Sequence, residues 1–464
     1  MLSLGALESP FARKTARSSG GTLGNPYLEG NFAPVEVETT AFNLPIRGRI
    51  PEDLAGRLVR IGPNPLGPVN PKTHHWFMGA GMAHGLRLRD GRAEWYRNRF
   101  IGSDNVARSL GRPRLAGPRN GFSDTVNTNI VQMGGRDYAV VEAGGLPVEL
   151  TYELESVARS DLGGTLKHGF SAHPKRDPAT GEQHVVTYQP GLKAVSCLSV
   201  DAAGRARTVA EIPASHGPMI HDTAFTASWI VVLDLPVTFK LSLLGRGFPF
   251  AWNPRQAPRV GLLPRDGDLS GLRWIEAPSC YVFHVMNAFD EDGAVVIDVV
   301  KHPRMFDAER RGPSEGDPQL VRWRIDLASG GLSETILEAR GCEFPRFNAA
   351  FGGRAYRFGY TVAAPGMRAF GALHKHDVTC GQTWTHDFGP GRAAAEPVFA
   401  PWPGAVAEDD GWVLTFVYDK ARDASDVVIL DARDFEGEPV ATIALPVRVP
   451  FGFHGDWLPD AAPN

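Results

Sequence analysis

Short β-rich runs, each bounded by Gly, Asp, Asn or Pro, recur along the chain and constrain its fold more than any other feature. The clearest of these runs are 138–142, 184–188, 229–233, 295–300, 320–325, 412–418 and 427–430. Turns such as Asp90-Gly91 separate them, and Asp-Gly between two strands is the strongest short-range signal for a β-hairpin. Helical periodicity is scarce and is confined to the short candidates 51–54, 150–159 and 305–311. The sequence therefore predicts an all-β protein.

The turn-forming residues do not divide the chain into blocks. The 52 glycines and 37 prolines are spread over all 464 residues, and no Ser/Gly-rich or charged linker interrupts them. Length alone favours about three domains, but this distribution favours one large all-β body. Residues 1–21 have no apolar core long enough for a signal peptide, and they interleave Arg and Lys with Ser. We expect a flexible N-terminal arm over 1–25 and a single domain over 26–464.

Four histidines stand in apolar or aromatic phrases far apart in the sequence: His173, His221, His284 and His454. The gaps of 48, 63 and 170 residues are too long for a zinc finger, whose paired ligands lie a few residues apart. The first two gaps are close to the ~40–50 residues of one propeller blade, and the third spans roughly three blades. One ligand per blade, converging on a common axis, gives a metal site made of imidazoles, which suits iron, zinc, copper or nickel.

Other histidines compete with these four, and any single histidine in a strand is more often structural than a ligand. His374 and His376 lie on one face of a predicted strand. His454 and Asp456 match half of an iron site made of two histidines and one carboxylate. Both patterns lack a partner of the right kind nearby, and His302 is interpreted as a surface residue.

Three glutamates lie among apolar residues or prolines, where an unpaired carboxylate is costly to bury: Glu142, Glu343 and Glu396. One interpretation is that they are exposed loop residues. The other is that each accepts the free ring N–H of a metal-bound histidine, which fixes the tautomer of that histidine. Three carboxylates would also offset the charge of a divalent ion whose ligands are neutral.

Composition and missing motifs exclude several classes of function. A net charge of −4 without a clustered basic surface argues against nucleic-acid binding. The chain has no Walker A loop, no G-x-S-x-G and no H-E-x-x-H, which argues against nucleotide-binding proteins and hydrolases. The four cysteines are widely separated, and no apolar run is long enough to span a bilayer. We therefore expect a cytoplasmic protein.

Several longer phrases resemble the carotenoid cleavage oxygenase family, and the match covers nearly the whole chain. They include Arg60-Ile-Gly-Pro-Asn-Pro, Glu142-Ala-Gly-Gly-Leu-Pro and Phe453-His-Gly-Asp-Trp457. The resemblance implies a seven-bladed β-propeller whose top face is capped by loops and short helices. It also implies Fe(II) on the propeller axis, and it identifies the ligands as His173, His221, His284 and His454.

The same resemblance implies roles for residues around the iron. Glu142, Glu343 and Glu396 are expected to orient His221, His284 and His454 respectively, and the methyl group of Thr128 is expected beside one open iron position. The expected substrate-lining residues are Val141, Met219, Phe283, Phe344 and Phe451. The implied activity is that of an Fe(II)-dependent dioxygenase, which adds O₂ across a C=C bond of a lipophilic polyene and gives two carbonyl products.

Three features bear on the substrate and on partners. Stilbene-cleaving members of the family carry Lys where this chain has Val141, which favours a carotenoid or apocarotenoid over a stilbene, the alternative substrate. The family usually has Asp where this chain has Ala80. The apolar segment Leu241–Trp252 is either a lid on the propeller or a patch for peripheral membrane contact. A non-catalytic propeller scaffold is the alternative from another class, and the sequence leaves the oligomeric state open.

Overall fold

The computed structural model describes residues 24–121 and 123–460, so the arm expected over 1–25 lies almost wholly outside the described residues. The strands are β1 Thr40–Ala41, β2 Ile46–Gly48, β3 Gly56–Asn64, β4 Ala80–Arg89, β5 Arg92–Phe100, β6 Asn129–Met133, β7 Arg136–Val140, β8 Val148–Leu150, β9 Ser156–Arg159, β10 Lys175–Arg176, β11 Gln183–Tyr188, β12 Ala194–Val200, β13 Ala206–Pro213, β14 Thr223–Phe225, β15 Trp229–Asp234, β16 Val237–Phe239, β17 Phe250–Trp252, β18 Arg259–Pro264, β19 Arg273–Glu276, β20 Tyr281–Glu291, β21 Ala294–His302, β22 Gln319–Asp326, β23 Leu332–Glu338, β24 Cys342–Phe347, β25 Phe358–Ala363, β26 Leu373–Asp377, β27 Gln382–His386, β28 Arg392–Ala394, β29 Val398–Pro401, β30 Gly411–Asp419, β31 Ala424–Asp431, β32 Ala441–Ala444 and β33 Gly455–Pro459. The helical elements are α1 Asp104–Leu110 and 3-10 turns at Pro26–Leu28, Gly30–Phe32, Leu241–Leu243, Leu269–Gly271, Ala349–Phe351 and Pro365–Met367.

These strands form seven antiparallel sheets of four to six strands and one separate hairpin, β16-β17, over the described residues. The sheets are β33-β3-β4-β5-β1, β6–β9, β10–β13, β14-β15-β18-β19, β20–β23, β24–β27, and β28 and β29 on β30-β31-β32-β2. Strands β33, β6, β10, β14, β20, β24 and β29 lie innermost, where neighbouring sheets contact each other. This arrangement is a seven-bladed β-propeller, and the fold expected from the sequence is confirmed.

Both ends of the described chain close the ring. The C-terminal strand β33 pairs with β3, with Trp457 opposite Leu58, and becomes the inner strand of a blade otherwise built from β1, β3, β4 and β5. The N-terminal strand β2 pairs with β32, with Arg47 opposite Thr442, at the outer edge of the preceding blade. Because each end completes a blade made by the other end, backbone hydrogen bonds hold the ring shut.

The blades bury both of their faces against neighbouring blades. Strand β21 shows this, since Val295, Val296, Ile297 and Val299 are each at most 1% exposed. Covered on both sides, such a strand is a continuous apolar run and shows no alternation of polar and apolar residues. Burying each of these side chains contributes roughly 1.5–3 kcal/mol relative to exposure.

The three helical candidates were wrong, and the one α-helix among the described residues was missed. Residues 150–159 run from the end of β8 through a turn into β9, and residues 51–54 and 305–311 form turns and bends. The missed helix α1 does carry local signals. Ser103 accepts a hydrogen bond from the Val106 backbone N–H, and Gly111 ends the helix with a φ of 64°. At seven residues it is too short for periodicity to identify.

The departure at Ala80 lies at the start of β4. Ala80 is buried in an apolar cluster with Met82, Phe100 and Val106, so a methyl group suits the site. At the next residue, Gly81, a Cβ atom would come within 1.9 Å of the Val126 carbonyl oxygen. The backbone of β4 therefore packs directly on the segment that leads to β6, and only glycine permits this approach.

Candidate metal centre

The four predicted histidines meet at the centre of the propeller. His173, His221 and His454 each lie one or two residues before an innermost strand (β10, β14 and β33), and His284 lies within β20. All four are buried, and their nearest ring nitrogens lie within 4.8 Å of one another. The His173 and His221 Nε2 atoms are 3.0 Å apart, as are those of His284 and His454. In the described part of the chain this is the one group of three or more histidine, cysteine or acidic side chains that could hold a metal ion.

Three of the histidines are oriented by buried or mostly buried carboxylates. The Nδ1 atom of His221 is 2.8 Å from Glu142, that of His284 is 2.5 Å from Glu343, and that of His454 is 2.9 Å from Glu396. Because an ionised carboxylate can only accept hydrogen bonds, the Nδ1 atom of each of these rings carries the proton and donates the hydrogen bond. The Nε2 lone pair of each ring then points toward the other histidines, which is the orientation that a metal ligand requires.

Each glutamate has a different second partner. The Tyr188 hydroxyl donates to Glu142 over 2.7 Å, and His302 Nε2 lies 2.8 Å from Glu343. Glu396 accepts from the backbone N–H of Gly455 over 2.8 Å. Both oxygens of each carboxylate are therefore engaged, which holds its plane as well as its position.

Arg346 adds a charge beside one of these carboxylates. Its guanidinium lies 3.6 Å from Glu396, the only one of the three glutamates that it pairs with among the described residues. Three carboxylates against one divalent ion leave one uncompensated negative charge. The guanidinium of Arg346, which also pairs with Asp456 at 2.9 Å, offsets part of that charge.

Coupling to these partners keeps the carboxylates ionised. Burial by itself raises the pKa of Glu343, but the charges and hydrogen bonds of His284 and His302 outweigh it and hold that pKa well below its usual range. Burial also acts to raise the pKa of Glu142 and that of Glu396, but the net shift of both is downward. His221 lowers the pKa of Glu142, and His454 and Arg346 lower the pKa of Glu396.

The histidines themselves divide into two cases. Burial lowers the pKa of His173 well below its ordinary value, and it lowers the pKa of His454 to about 4 against the opposing charge of Glu396. Burial also acts to lower the pKa of His221, but the negative charge of Glu142 outweighs burial, and the pKa of His221 lies above its ordinary value. A proton therefore competes with a metal ion at His221, and metal binding there releases it.

The spacing of the ring nitrogens allows neighbouring histidines to share one ion. Two nitrogens at about 2.1 Å from one ion are about 3.0–3.4 Å apart, and two pairs of Nε2 atoms here are 3.0 Å apart. His173, His221, His284 and His454 would therefore hold the ion.

A mostly apolar cavity of about 740 Å³ lies on one side of the four histidines. Its wall includes His221, His284 and His454, and it also includes Thr128. The Thr128 hydroxyl donates to Asn127 Oδ1 over 3.0 Å, so this hydroxyl is turned toward Asn127. An apolar wall with a few polar groups is typical of a pocket for a small organic molecule.

Sequence profiles and solved structures identify the relatives of this chain. The profile described as retinal pigment epithelial membrane protein matches residues 32–459. The carotenoid cleavage oxygenase of Mycobacterium tuberculosis is 41% identical, over 94% of this chain and 98% of that protein. The chain belongs to the carotenoid cleavage oxygenase family. Two solved structures share its fold over most of both chains, and the resemblance read from the sequence is confirmed.

The first of these structures is the lignostilbene dioxygenase of Pseudomonas brassicacearum. It is 27% identical with a TM-score of 0.84, and the match covers 94% of this chain and 98% of that one. The second is cobalt-substituted ACO of Synechocystis, 28% identical with a TM-score of 0.81, and the match covers 92% of this chain and 97% of that one. The structural likeness therefore extends to proteins that are named for different substrates, a lignostilbene and an apocarotenoid.

The structure separates the five expected lining residues of this family member into two groups. Val141, Phe283 and Phe344 line the apolar cavity. Phe283 packs edge-on against His221 with ring centroids 5.1 Å apart, and Phe344 stacks on His284 at 5.3 Å. Met219 and Phe451 do not line it.

Met219 packs in the core, where its carbonyl accepts from the Tyr281 hydroxyl, and Phe451 packs against Phe32 and Phe370. Met219 is two residues from His221 in the sequence, and Phe451 is three residues from His454. Proximity along a chain does not decide which way a side chain points.

Other wall residues were missed. The cavity is also lined by Trp76, Phe77, Tyr188, Phe248, Phe250, Pro313, Met367 and Phe453. Most come from loops far from the ligand phrases, although Phe453 is adjacent to His454.

His302, interpreted as a surface residue, is 1% exposed and contacts Glu343, so that interpretation was wrong. Its position at the end of the apolar strand β21 was the available signal.

The competing patterns form no second centre. His374 and His376 are hydrogen-bonded to threonines of their own blade, and Asp456 lies 2.9 Å from Arg346. These contacts give each group a structural partner. Asp456, the carboxylate of the alternative iron site, is thus paired with an arginine.

The segment Leu241–Trp252 connects an exposed tip to the cavity wall. Leu241 is 75% exposed and Leu244 is 54% exposed, whereas Phe248 and Phe250 line the cavity. Phe248 also stacks on His75 with ring centroids 4.3 Å apart. None of the helices among the described residues is long and apolar enough to cross a membrane.

Proposed function

We propose that this protein is an Fe(II)-dependent dioxygenase that cleaves a C=C bond of a carotenoid or apocarotenoid with O₂ and forms two carbonyl products. The observation that carries the proposal is the convergence of four histidine ligands beside a cavity walled by aromatic rings. A polyene has little besides its apolar surface for a protein to recognise, and such a wall matches it. The 41% identical relative is named for carotenoid cleavage, and it is matched over 98% of its length.

The side chains of the cavity bind and orient and transfer no proton. Adding O₂ across an alkene and breaking the C–C bond gives two carbonyls with all atoms and electrons accounted for, and it needs no external acid, base or reductant. In agreement, the cavity-lining carboxylate Glu142 has both oxygens engaged, by His221 and Tyr188. Bound Fe(II) would supply activation of O₂ next to the double bond. Thr128 and the rings of Phe283 and Phe344 hold the alkene in register beside it.

A stilbene is the second candidate substrate. The lignostilbene dioxygenase with the same fold favours it. The wall opposes it, since Val141 stands next to Glu142 and has no group that could bind a phenol. A non-catalytic scaffold is disfavoured by the three ionised carboxylates around the histidines, because burying that charge without a metal is costly.

Labelled dioxygen tests the reaction and the substrate together. We expect the Fe(II)-loaded protein under ¹⁸O₂ to cleave a member of a panel of carotenoids and apocarotenoids, with the label in both fragments by mass spectrometry. Hydroxystilbenes in the same panel are expected to turn over at least roughly tenfold more slowly, because Val141 offers no charged or polar group to bind a phenol. Label in one fragment only contradicts dioxygenation. No conversion of any polyene contradicts the proposed substrate class.

We also propose that the tip of Leu241–Trp252 contacts a lipid surface. A substrate of this kind partitions into membranes, and the exposed leucines stand on the segment whose far end reaches the cavity. Inserting two leucines into the interface gives a marginal, reversible attachment.

Replacing the two exposed leucines measures that contact. The double variant Leu241→Ser, Leu244→Ser is expected to lower the fraction of protein that floats with phospholipid vesicles by roughly tenfold. The reason is that two leucine side chains are no longer transferred from water into the lipid interface. The matched control is Leu269→Ser with Ile336→Ser, which removes two exposed apolar side chains elsewhere. Equal flotation of the two double variants would rule out the patch.

A further inference from the structure

A second cavity reaches the four histidines from the other side. Its volume is about 1020 Å³, and His173, His284 and His454 form part of its wall. His284 and His454 therefore border both cavities, whereas His173 borders only this one. The two cavities meet at the position that a metal ion would occupy.

The wall of this second cavity, here named the polar cavity, carries paired charges as well as apolar residues such as Phe225 and Phe347. Lys175 Nζ lies 2.9 Å from Asp222, and Arg346 lies 2.9 Å from Asp456 and 3.6 Å from Glu396. Asp222 also accepts from the Val285 backbone N–H over 2.8 Å, which fixes it in place. The wall carries three cationic side chains, Lys175, Arg176 and Arg346, and three carboxylates, Asp222, Glu396 and Asp456, so it presents no excess of positive charge to a metal ion.

The polar cavity extends to the protein surface. Its wall includes the exposed residues Arg176 and Ala349, as well as the half-exposed Asp456. Ala349 is the first residue of the 3-10 turn that follows β24. The cavity wall thus runs from these exposed residues to the buried His173.

We propose that the polar cavity is the route by which a hydrated divalent metal ion enters and leaves the four-histidine centre, separate from the route of the apolar substrate. A hydrated dication loses its water at high cost among aromatic side chains. Along the polar wall, carboxylate oxygens replace water as hydration is lost. His173 is the one ligand of the four that borders this cavity alone.

The inference rests on the metal centre proposed above, and the two can be distinguished. Equilibrium affinity reports whether the centre binds metal. The rate constants report the route, because an obstacle on a path slows entry and exit by the same factor and leaves their ratio, the Kd, unchanged. A change in the ligands alters the Kd.

The experiment obstructs the mouth and follows metal exchange. Metal-free full-length protein is mixed with Co²⁺, and the absorbance of the forming complex gives the association rate; a chelator chase gives the dissociation rate. We expect Ala349→Trp to slow both by roughly tenfold with an unchanged Kd. Ala349→Glu is expected to raise the association rate by about two- to threefold at low salt, because a negative charge at the mouth attracts the ion.

Ala350 provides the matched controls. It is exposed and adjacent in the same turn but does not line the cavity, so Ala350→Trp and Ala350→Glu should exchange metal like the unaltered protein. Phe248→Trp, which narrows the apolar cavity, should also leave the exchange rates unchanged. The route is overturned if Ala349→Trp exchanges metal as fast as Ala350→Trp, or if Phe248→Trp slows loading. An unaltered protein that takes up no Co²⁺ at equilibrium overturns the metal centre and the route together.

Discussion

Replacing His284 with alanine is expected to reduce bound iron to less than about one-tenth of the metal per chain, and to lower turnover by roughly 1,000-fold or more. His284 supplies one of four ring nitrogens, and its Nε2 atom is 3.0 Å from that of His454. Its loss also leaves the Glu343 carboxylate, with a 0% exposed side chain, without one of its two imidazole partners. Removing one partner of a buried charged pair is strongly destabilising, so the remaining ligands lose their alignment as well.

Metal analysis by mass spectrometry and turnover on the cleaved polyene measure this effect. His374→Ala is the matched control. His374 is also a buried strand histidine, but it bonds to Thr385 in another part of the propeller. We expect the control to retain full iron and near-normal turnover. An iron content in His284→Ala equal to that of the control would remove His284 from the ligand set and support a non-catalytic scaffold.

Glu343→Gln is expected to lower iron occupancy or turnover by roughly 10–100-fold. The amide keeps the shape of the side chain but loses its charge, and one of its two ends becomes a donor. The new NH₂ group then faces the ring N–H of His284 or His302, both of which now donate to Glu343. The metal centre loses part of its compensating charge, and His284 loses the acceptor that fixes its tautomer.

Glu142→Gln gives an internal comparison. Its side chain is 13% exposed, against 0% for Glu343, and its second partner is a hydroxyl that can turn to accept from the new amide. We expect a smaller loss than for Glu343→Gln. Glu276→Gln, on an exposed position of β19, should change nothing. Iron titration and kcat for the four proteins rank these effects, and an unchanged Glu343→Gln would contradict its assignment.

The four histidines illustrate what local sequence reveals about a site. Each is placed at or just before an innermost strand, and the gaps between them follow the number of residues in a blade. In a propeller, residues separated by the length of one blade lie in neighbouring blades around the same axis. The spacing of the four histidines therefore predicts that they meet at that axis. The glutamates were detectable for a related reason, since a carboxylate in an apolar phrase requires a partner.

The cavity walls illustrate what remained hidden. Phe77 and Phe248 face the site from loops that no ligand phrase marks, and Met219 points into the core although it is two residues from His221. Tyr188 ends a strand of another blade and still reaches Glu142. Such contacts depend on how loops cross above the blades, and strand periodicity does not encode that crossing.

By itself, the sequence determined the all-β class, the family, and the residue types that gather around a metal ion, because strand length, turn chemistry and the cost of burying charge are local properties. The tertiary structure decided which partner engages the second oxygen of each glutamate, which aromatic rings form the apolar wall, and that a separate polar cavity meets the same four histidines from the opposite side. Those features arise where distant segments pack together. Only the closed ring of blades brings them within contact distance.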